Sequence, residues 1–267
     1  MLDKLVVEPG HPAKLGERDP ADKLGLSGKP QGRKQLAALV PQLADLQARL
    51  AAEATRGVLF VLQAMDAGGK DGTIHSVFTG VNPQGVRVVS FKAPAGRETQ
   101  QDYLWRVHQV CPARGEIAIF NRSHYEDVLV VRVHDFVPEE RWRKRYRHIR
   151  EFERMLHDEG TTIVKVMLHI SADEQRQRLQ ERVDDPTKRW KFRAGDLDDR
   201  KRWDDFQAAY DEALTETSTE WAPWYVVPAD RNWVRDVAVA KILVHHLTEL
   251  DPQYPEADPA VVGTTVV

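Results

Sequence analysis

Val58-Leu59-Phe60-Val61-Leu62-Gln63-Ala64-Met65-Asp66-Ala67-Gly68-Gly69-Lys70-Asp71-Gly72-Thr73 is the stretch on which the reading of this chain turns. An apolar run gives way to paired glycines and a lysine, which predicts a buried strand, a tight turn and the start of a helix. Paired glycines let backbone N–H groups close on an anion, the helix start adds its positive end, and Lys70 supplies a mobile ammonium. These are the parts of a phosphate site. The stretch departs from the common phosphate loop G-x-x-x-x-G-K-[ST] at two positions. Ala64 stands where the first glycine would be, and Asp71 replaces the hydroxyl that usually helps hold magnesium. An anionic Asp71 repels phosphates unless a cation sits between, so Asp66, Asp71 or both are expected to act through Mg²⁺. The plainer alternative is a strand-to-helix turn that binds nothing.

Outward from this centre, the pattern predicts strands alternating with helices. An amphipathic helix with Leu36, Leu39, Leu43, Leu46 and Leu50 on one face precedes the central strand. After it come a helix over 70–78, a strand over 86–91, a helix around 98–107 and a strand over 116–120. A long helix over 138–158 ends at Gly160, and a β-branched strand follows over 161–170. Ser171-Ala172-Asp173-Glu174 reads as a capping box opening the next helix. Residues 184–195 are polar and irregular, and Asp196 is placed to cap a helix bearing Trp203, Phe206, Tyr210 and Ala213 on one face. A short strand over 223–228 and a helix over 232–250 complete the order. Such alternation implies an α/β fold, a parallel sheet covered on both faces. Residues 1–33, rich in Gly, Pro, Lys and Asp, suggest an extended arm, 34–250 the main domain with a lid at 184–202, and 251–267 a loose tail.

With 267 residues, 42% of them hydrophobic and 30% charged, the chain can bury a full core. Its 38 basic and 41 acidic residues nearly cancel, so any site for a polyanion has to come from local clustering. A single cysteine, Cys111, excludes an internal disulfide framework; with no signal-like start and no window long enough to span a membrane, a cytoplasmic protein is expected.

Ligands of an open parallel sheet bind beyond the carboxyl ends of its strands. The residues just after the expected strands are Asp66 and Lys70, then Lys92 with Arg97, then Asn121-Arg122-Ser123-His124-Tyr125-Glu126-Asp127, then the basic segment 188–202 and Asp230-Arg231. Cations for spread negative charge and carboxylates for magnesium are what phosphoryl transfer requires. Glu126 or Asp127 would take the part of the metal-organising acid, because Asn121 stands first after its strand. Arg122 could instead be a surface ion pair, and His124 and Tyr125 read as packing residues. Lys188-Arg189-Trp190-Lys191-Phe192-Arg193 reads as a mobile lid over phosphates, a nucleic-acid patch or a solvated loop. Arg143, Arg147, Arg150 and Arg154 form a helical stripe that calls for a polyanion or for acids of a neighbouring subunit.

Four segments in combination, Ala64 to Gly72, Phe120 to Asp127, Arg189-Trp190-Lys191-Phe192 and Ala222-Pro223-Trp224, resemble the polyphosphate kinase type 2 family over roughly residues 30–250. The resemblance implies a three-layer α/β/α sandwich, a P-loop kinase fold similar to thymidylate kinase with a helical lid. It implies transfer of the terminal phosphoryl group of inorganic polyphosphate to a nucleotide with Mg²⁺, for which Mn²⁺ can substitute. By position it makes Asp66, Lys70 and Arg122 catalytic, Asp66 with Asp127 metal-holding, and Gly68, Gly69, Lys92, Arg97, Lys188, Lys191 and Arg193 phosphate-binding. The acids in Asn121 to Asp127, Glu126 above all, depart from the D-R-S-W-Y-N-R pattern of ADP-specific members and resemble the subgroup that phosphorylates both AMP and ADP. Polyphosphate and adenine nucleotides are thus the expected partners, with no nucleic acid or membrane, and the arm and the tryptophan-rich helices suggest a homo-oligomer. An ATP-dependent nucleotide kinase and a non-enzymatic polyanion binder are the two rival expectations.

Overall fold

In the computed structural model, which describes residues 1–265, the quoted stretch forms the middle of a six-stranded sheet. Every residue of its strand is buried, and an apolar side chain so buried stabilises the fold by roughly 1.5–3 kcal/mol. In chain order the strands are β1 (Val6–Val7), β2 (Gly57–Ala64), β3 (Val86–Ser90), β4 (Ile117–Asn121), β5 (Thr161–His169) and β6 (Trp224–Pro228). They lie side by side as β1-β6-β5-β2-β4-β3. β2 to β6 run parallel, with β2 between β4 and β5, and only β1 is antiparallel, Val6 facing Tyr225.

Nine α-helices of the described residues cover the sheet: α1 (Lys29–Glu53), α2 (Lys70–Phe78), α3 (Trp105–His108), α4 (Val130–Val133), α5 (Glu139–Asp158), α6 (Ala172–Asp184), α7 (Ala194–Lys201), α8 (Trp203–Thr217) and α9 (Asn232–Leu250). α9 packs on α1, α2, β5 and β6, while α5 packs on β5 and α8, so helices cover both faces in three layers. Ser171 Oγ accepts from the Glu174 amide at 3.1 Å, the cap expected at the start of α6, a contact worth about 1 kcal/mol.

Several expectations need correction. The boundary at 33 falls inside α1, which begins at Lys29 behind Gly28, and the arm before it supplies β1 rather than lying over a finished body. Arg18 holds that arm by donating to the carbonyls of Ala13, Leu5 and Val6. The helix expected around 98–107 is replaced by a 3₁₀ segment (Gly96–Gln100) and the single turn α3, because Asp102 caps a new start by accepting from the Leu104 and Trp105 amides. Asp196 lies inside α7, reaching back to the Arg193 amide at 3.4 Å, and the aromatic face belongs to the separate α8. Residues 251–265 form neither helix nor strand, though Gln253 ties their start to Glu53 at 3.1 Å; Val266 and Val267 lie outside the described residues.

The arginine stripe of α5 meets acids of its own chain. Arg143 bonds Glu139 and Glu212, Arg150 pairs with Glu216 at 3.3 Å, and Arg147 and Arg154 pair with Glu151 and Asp158 one turn on. Glu212 and Glu216 come from α8, so the stripe fastens two helices and calls for neither a polyanion nor a second subunit. Pairs this exposed add at most about 1 kcal/mol each.

Candidate functional site

The loop between β2 and α2 is wound so tightly that its glycines are obligatory. A Cβ on Gly68 would lie 2.5 Å from the Ala64 Cβ and 2.8 Å from the Met65 carbonyl oxygen. Gly69 has φ +97°, and a Cβ there would meet the buried Arg235 guanidinium. Side chains from α6 brace the outer turn: Gln175 donates to the Asp66 carbonyl at 3.1 Å and Arg178 to the Ala67 carbonyl at 3.1 Å. Lys70 folds back and donates to the Ala64 carbonyl at 3.0 Å. Burial, with Arg122 nearby, lowers its pKa to about 8.

Arg122 follows β4 at φ +62°, a conformation that costs a non-glycine residue on the order of 1–3 kcal/mol. The bend turns its guanidinium onto Asp66 at 2.5 Å and within 3.8 Å of Glu126. Burial would by itself raise the Asp66 pKa, but Arg122 and Lys70 outweigh it and hold the carboxyl below its usual range. Burial likewise opposes the charge of Arg122, and Glu126 and Asp66 outweigh it. At Glu126, burial wins over Arg122 and Lys70, so its pKa is raised.

These groups stand at a cavity of about 1040 Å³. Of the residues singled out from the sequence, Asp66, Asp71, Lys92, Arg122, Glu126, Asp127, Lys191 and Arg193 are among those that line it. Gly68, Gly69 and Lys70 form the adjoining loop. Two expected phosphate-binding residues are not brought in: Arg97 stacks on Trp105 at 5.4 Å, and Lys188 pairs with Asp185 at 3.0 Å. The basic segment after α6 reaches the loop directly, with Lys191 3.7 Å from Asp71, whose other oxygen accepts from Asn121 at 2.8 Å. Sequence reasoning missed Arg141, Lys144, Arg145 and His148, which also line the cavity. Their spacing i, i+3, i+4, i+7 was available as a signal, one face over from the stripe that α8 neutralises.

For a metal ion, the described residues hold no cluster of three or more His, Cys, Asp or Glu side chains. Magnesium commonly takes one or two carboxylates and completes its shell with water and substrate phosphates, so an ionised Asp66 at the cavity mouth fits it. Asp127 fits less well: like Asp66 it is bonded to an arginine, Arg145 at 2.8 Å, but there burial wins and raises the carboxyl's pKa, which disfavours the ionised form a metal requires.

A parallel sheet with a glycine loop and lysine at the end of its central strand, facing a cation-lined cavity, defines the class of P-loop kinase folds. The family model described as Polyphosphate kinase 2 matches residues 27–255. A protein of Meiothermus ruber named AMP/ADP-polyphosphate phosphotransferase is 60% identical over 97% of both chains. An ADP-polyphosphate phosphotransferase of Rhodopseudomonas palustris is 48% identical over 83% of this chain and 81% of its own. The crystal structure of Polyphosphate Kinase 2 from Arthrobacter aurescens superposes with a TM-score of 0.93 at 44% identity, covering 97% of this chain and 93% of that one. The chain belongs to the polyphosphate kinase 2 family.

Proposed function

We propose that this protein transfers the terminal phosphoryl group of inorganic polyphosphate to AMP and to ADP, reversibly, giving ADP and ATP. The observation that carries this reading is the Asp66–Arg122 pair beside Lys70 at the mouth of a cavity with cations on its walls. Phosphoryl transfer proceeds through a state whose charge is spread over the phosphoryl oxygens, so alignment and fixed positive charge supply most of the catalysis. Arg122 is placed to bond those oxygens and Lys70 to move from the Ala64 carbonyl onto a phosphate. Asp66 orients Arg122 and is the carboxylate that would hold Mg²⁺, which when bound neutralises oxygens of donor and acceptor. Lys191 and Arg193 bring the lid's charge to the same space and exclude water as it closes. Polyphosphate has no base or ribose to recognise, so a wall of arginines and lysines suffices to hold it.

Incubation with polyphosphate and either AMP or ADP, with no ATP present, tests the reading. ADP should form from AMP, and ATP from ADP. Products that appear only when ATP is supplied would favour an ATP-dependent kinase of the same fold, and RNA retention without turnover would favour a polyanion binder. The free thiol of Cys111 suits the cytoplasm, where we place the protein, and the homo-oligomer and the lack of a nucleic-acid partner stand as parts of the same proposal.

Lys70 gives the proposal a pH signature. It is charged below pH about 8 and loses its proton above that in the free protein, so kcat/KM should decline as pH rises through about 8. Bound phosphates favour the charged form, so the decline in kcat should fall at higher pH. A kcat/KM profile flat to a pH of about 9 would contradict this role for Lys70.

A further inference from the structure

The segment from Asn121 to Asp127 has two sides. On the outer side Arg122, Glu126 and Asp127 line the cavity. On the inner side Ser123, His124 and Tyr125 are completely buried, and His124 and Tyr125 end on charges that the site itself does not use. Lys165 of β5 and Glu153 of α5, both fully buried, form an ion pair at 2.6 Å. Tyr125 donates its hydroxyl to Glu153 at 2.8 Å and accepts from Lys165 at 3.0 Å, and the Nε2 of His124 lies 3.2 Å from the same carboxylate. The lysine's third bond goes to the Thr217 carbonyl at 2.7 Å. Ser123 closes the inner side by accepting from Gln63 of β2 at 3.0 Å.

A buried ion pair is a poor way to gain stability, since desolvating both charges offsets most of their attraction and apolar replacements are often as stable. What it offers is direction: charge-assisted bonds fix angles, whereas apolar side chains of similar volume repack and lose uniqueness before stability. Here the directed bonds end on Tyr125, whose next neighbours in the chain are Glu126 and Asp127, and three residues ahead of it stands Arg122 at its strained φ.

We propose that Glu153 and Lys165 are positioning residues for phosphoryl transfer: through Tyr125 and His124 they set the place of Arg122 and Glu126 against Asp66. This rests on the phosphotransferase reading above. The pair touches no substrate, and its work is done by holding one turn of backbone at a fixed rotation between β4 and the cavity.

The test is the double variant Glu153→Leu/Lys165→Met, which removes both charges together, alongside Tyr125→Phe, which removes one hydroxyl and leaves the ion pair. The double variant should melt near the wild-type temperature while kcat for AMP falls at least about tenfold and KM changes less than about twofold, because the misplaced groups act in the transition state. Amide exchange over 122–127 should quicken without change elsewhere. A folded double variant with kcat within about twofold of wild type would overturn the proposal. Should that variant not fold, Tyr125→Phe decides: kcat should fall at least about threefold, and a smaller loss overturns it. If wild type shows no polyphosphate-driven turnover, the function reading has failed, and exchange over 122–127 decides positioning separately: unchanged in the double variant, or in Tyr125→Phe if that variant does not fold, it sinks the idea.

Discussion

Asp66→Asn should lower kcat for polyphosphate-driven phosphorylation of AMP by about a hundredfold to a thousandfold, the loss typical of removing one preorganised electrostatic group. The substitution keeps the shape and leaves an oxygen for Arg122, so the fold should survive it. What disappears is the negative charge, on which three things depend. Arg122 is aimed by it at 2.5 Å, Lys70 keeps its proton partly because of it, and it is the carboxylate that would hold a magnesium ion. Circular dichroism and thermal melting alongside steady-state kinetics separate the outcomes. A variant that melts like wild type and retains activity within a few-fold would remove Asp66 from the chemistry.

Gly68→Ala should show the second large effect, and on stability as well as rate. The new methyl would stand 2.8 Å from the Met65 carbonyl oxygen and 2.5 Å from the Ala64 Cβ, and neither is the end of a flexible side chain. The loop has to open, at a cost of roughly 1–3 kcal/mol. For a chain of this size that corresponds to a melting temperature lower by about 2–12 °C. Opening also displaces Lys70 and Asp66 from Arg122, and a displacement of about 1 Å at such a site can cost a hundredfold in rate. Thermal melts and kcat measured on the same preparation check both; no change in either would mean that the loop is wound less tightly than its backbone implies.

The fold was readable because its signals are local. Val58 to Ala64 is apolar beyond what one-sided burial requires, and helix starts such as Ser171 announce themselves through capping chemistry. The site was readable in its central parts for a related reason: Asp66, Lys70 and Arg122 follow directly on strands, where a parallel sheet gathers its ligands. What escaped was long-range. Nothing local to Arg143 or Arg150 reveals that Glu212 and Glu216 arrive some seventy residues later to neutralise them, and so the neighbouring stripe of Arg141, Lys144, Arg145 and His148 was passed over. Lys188 and Arg97 differ in the opposite sense: basic residues in a basic neighbourhood, they meet Asp185 and Trp105 close at hand and do not line the cavity. The inner half of Asn121 to Asp127 reads as packing because its partners sit on other elements: Glu153 looks, in sequence, like an ordinary surface charge, and Lys165, though set in an apolar strand, has no acid near it in the chain.

β1 has a consequence for how the molecule is made. Val6 and Val7 are made more than two hundred residues ahead of the strand they pair with, at Trp224 and Tyr225. During synthesis the sheet can assemble outward from β2, but its β6 edge has no antiparallel cover until β1 pairs with it, and closing so long a loop is slow. The arm therefore acts as a seal, set only once β6 is present to receive it.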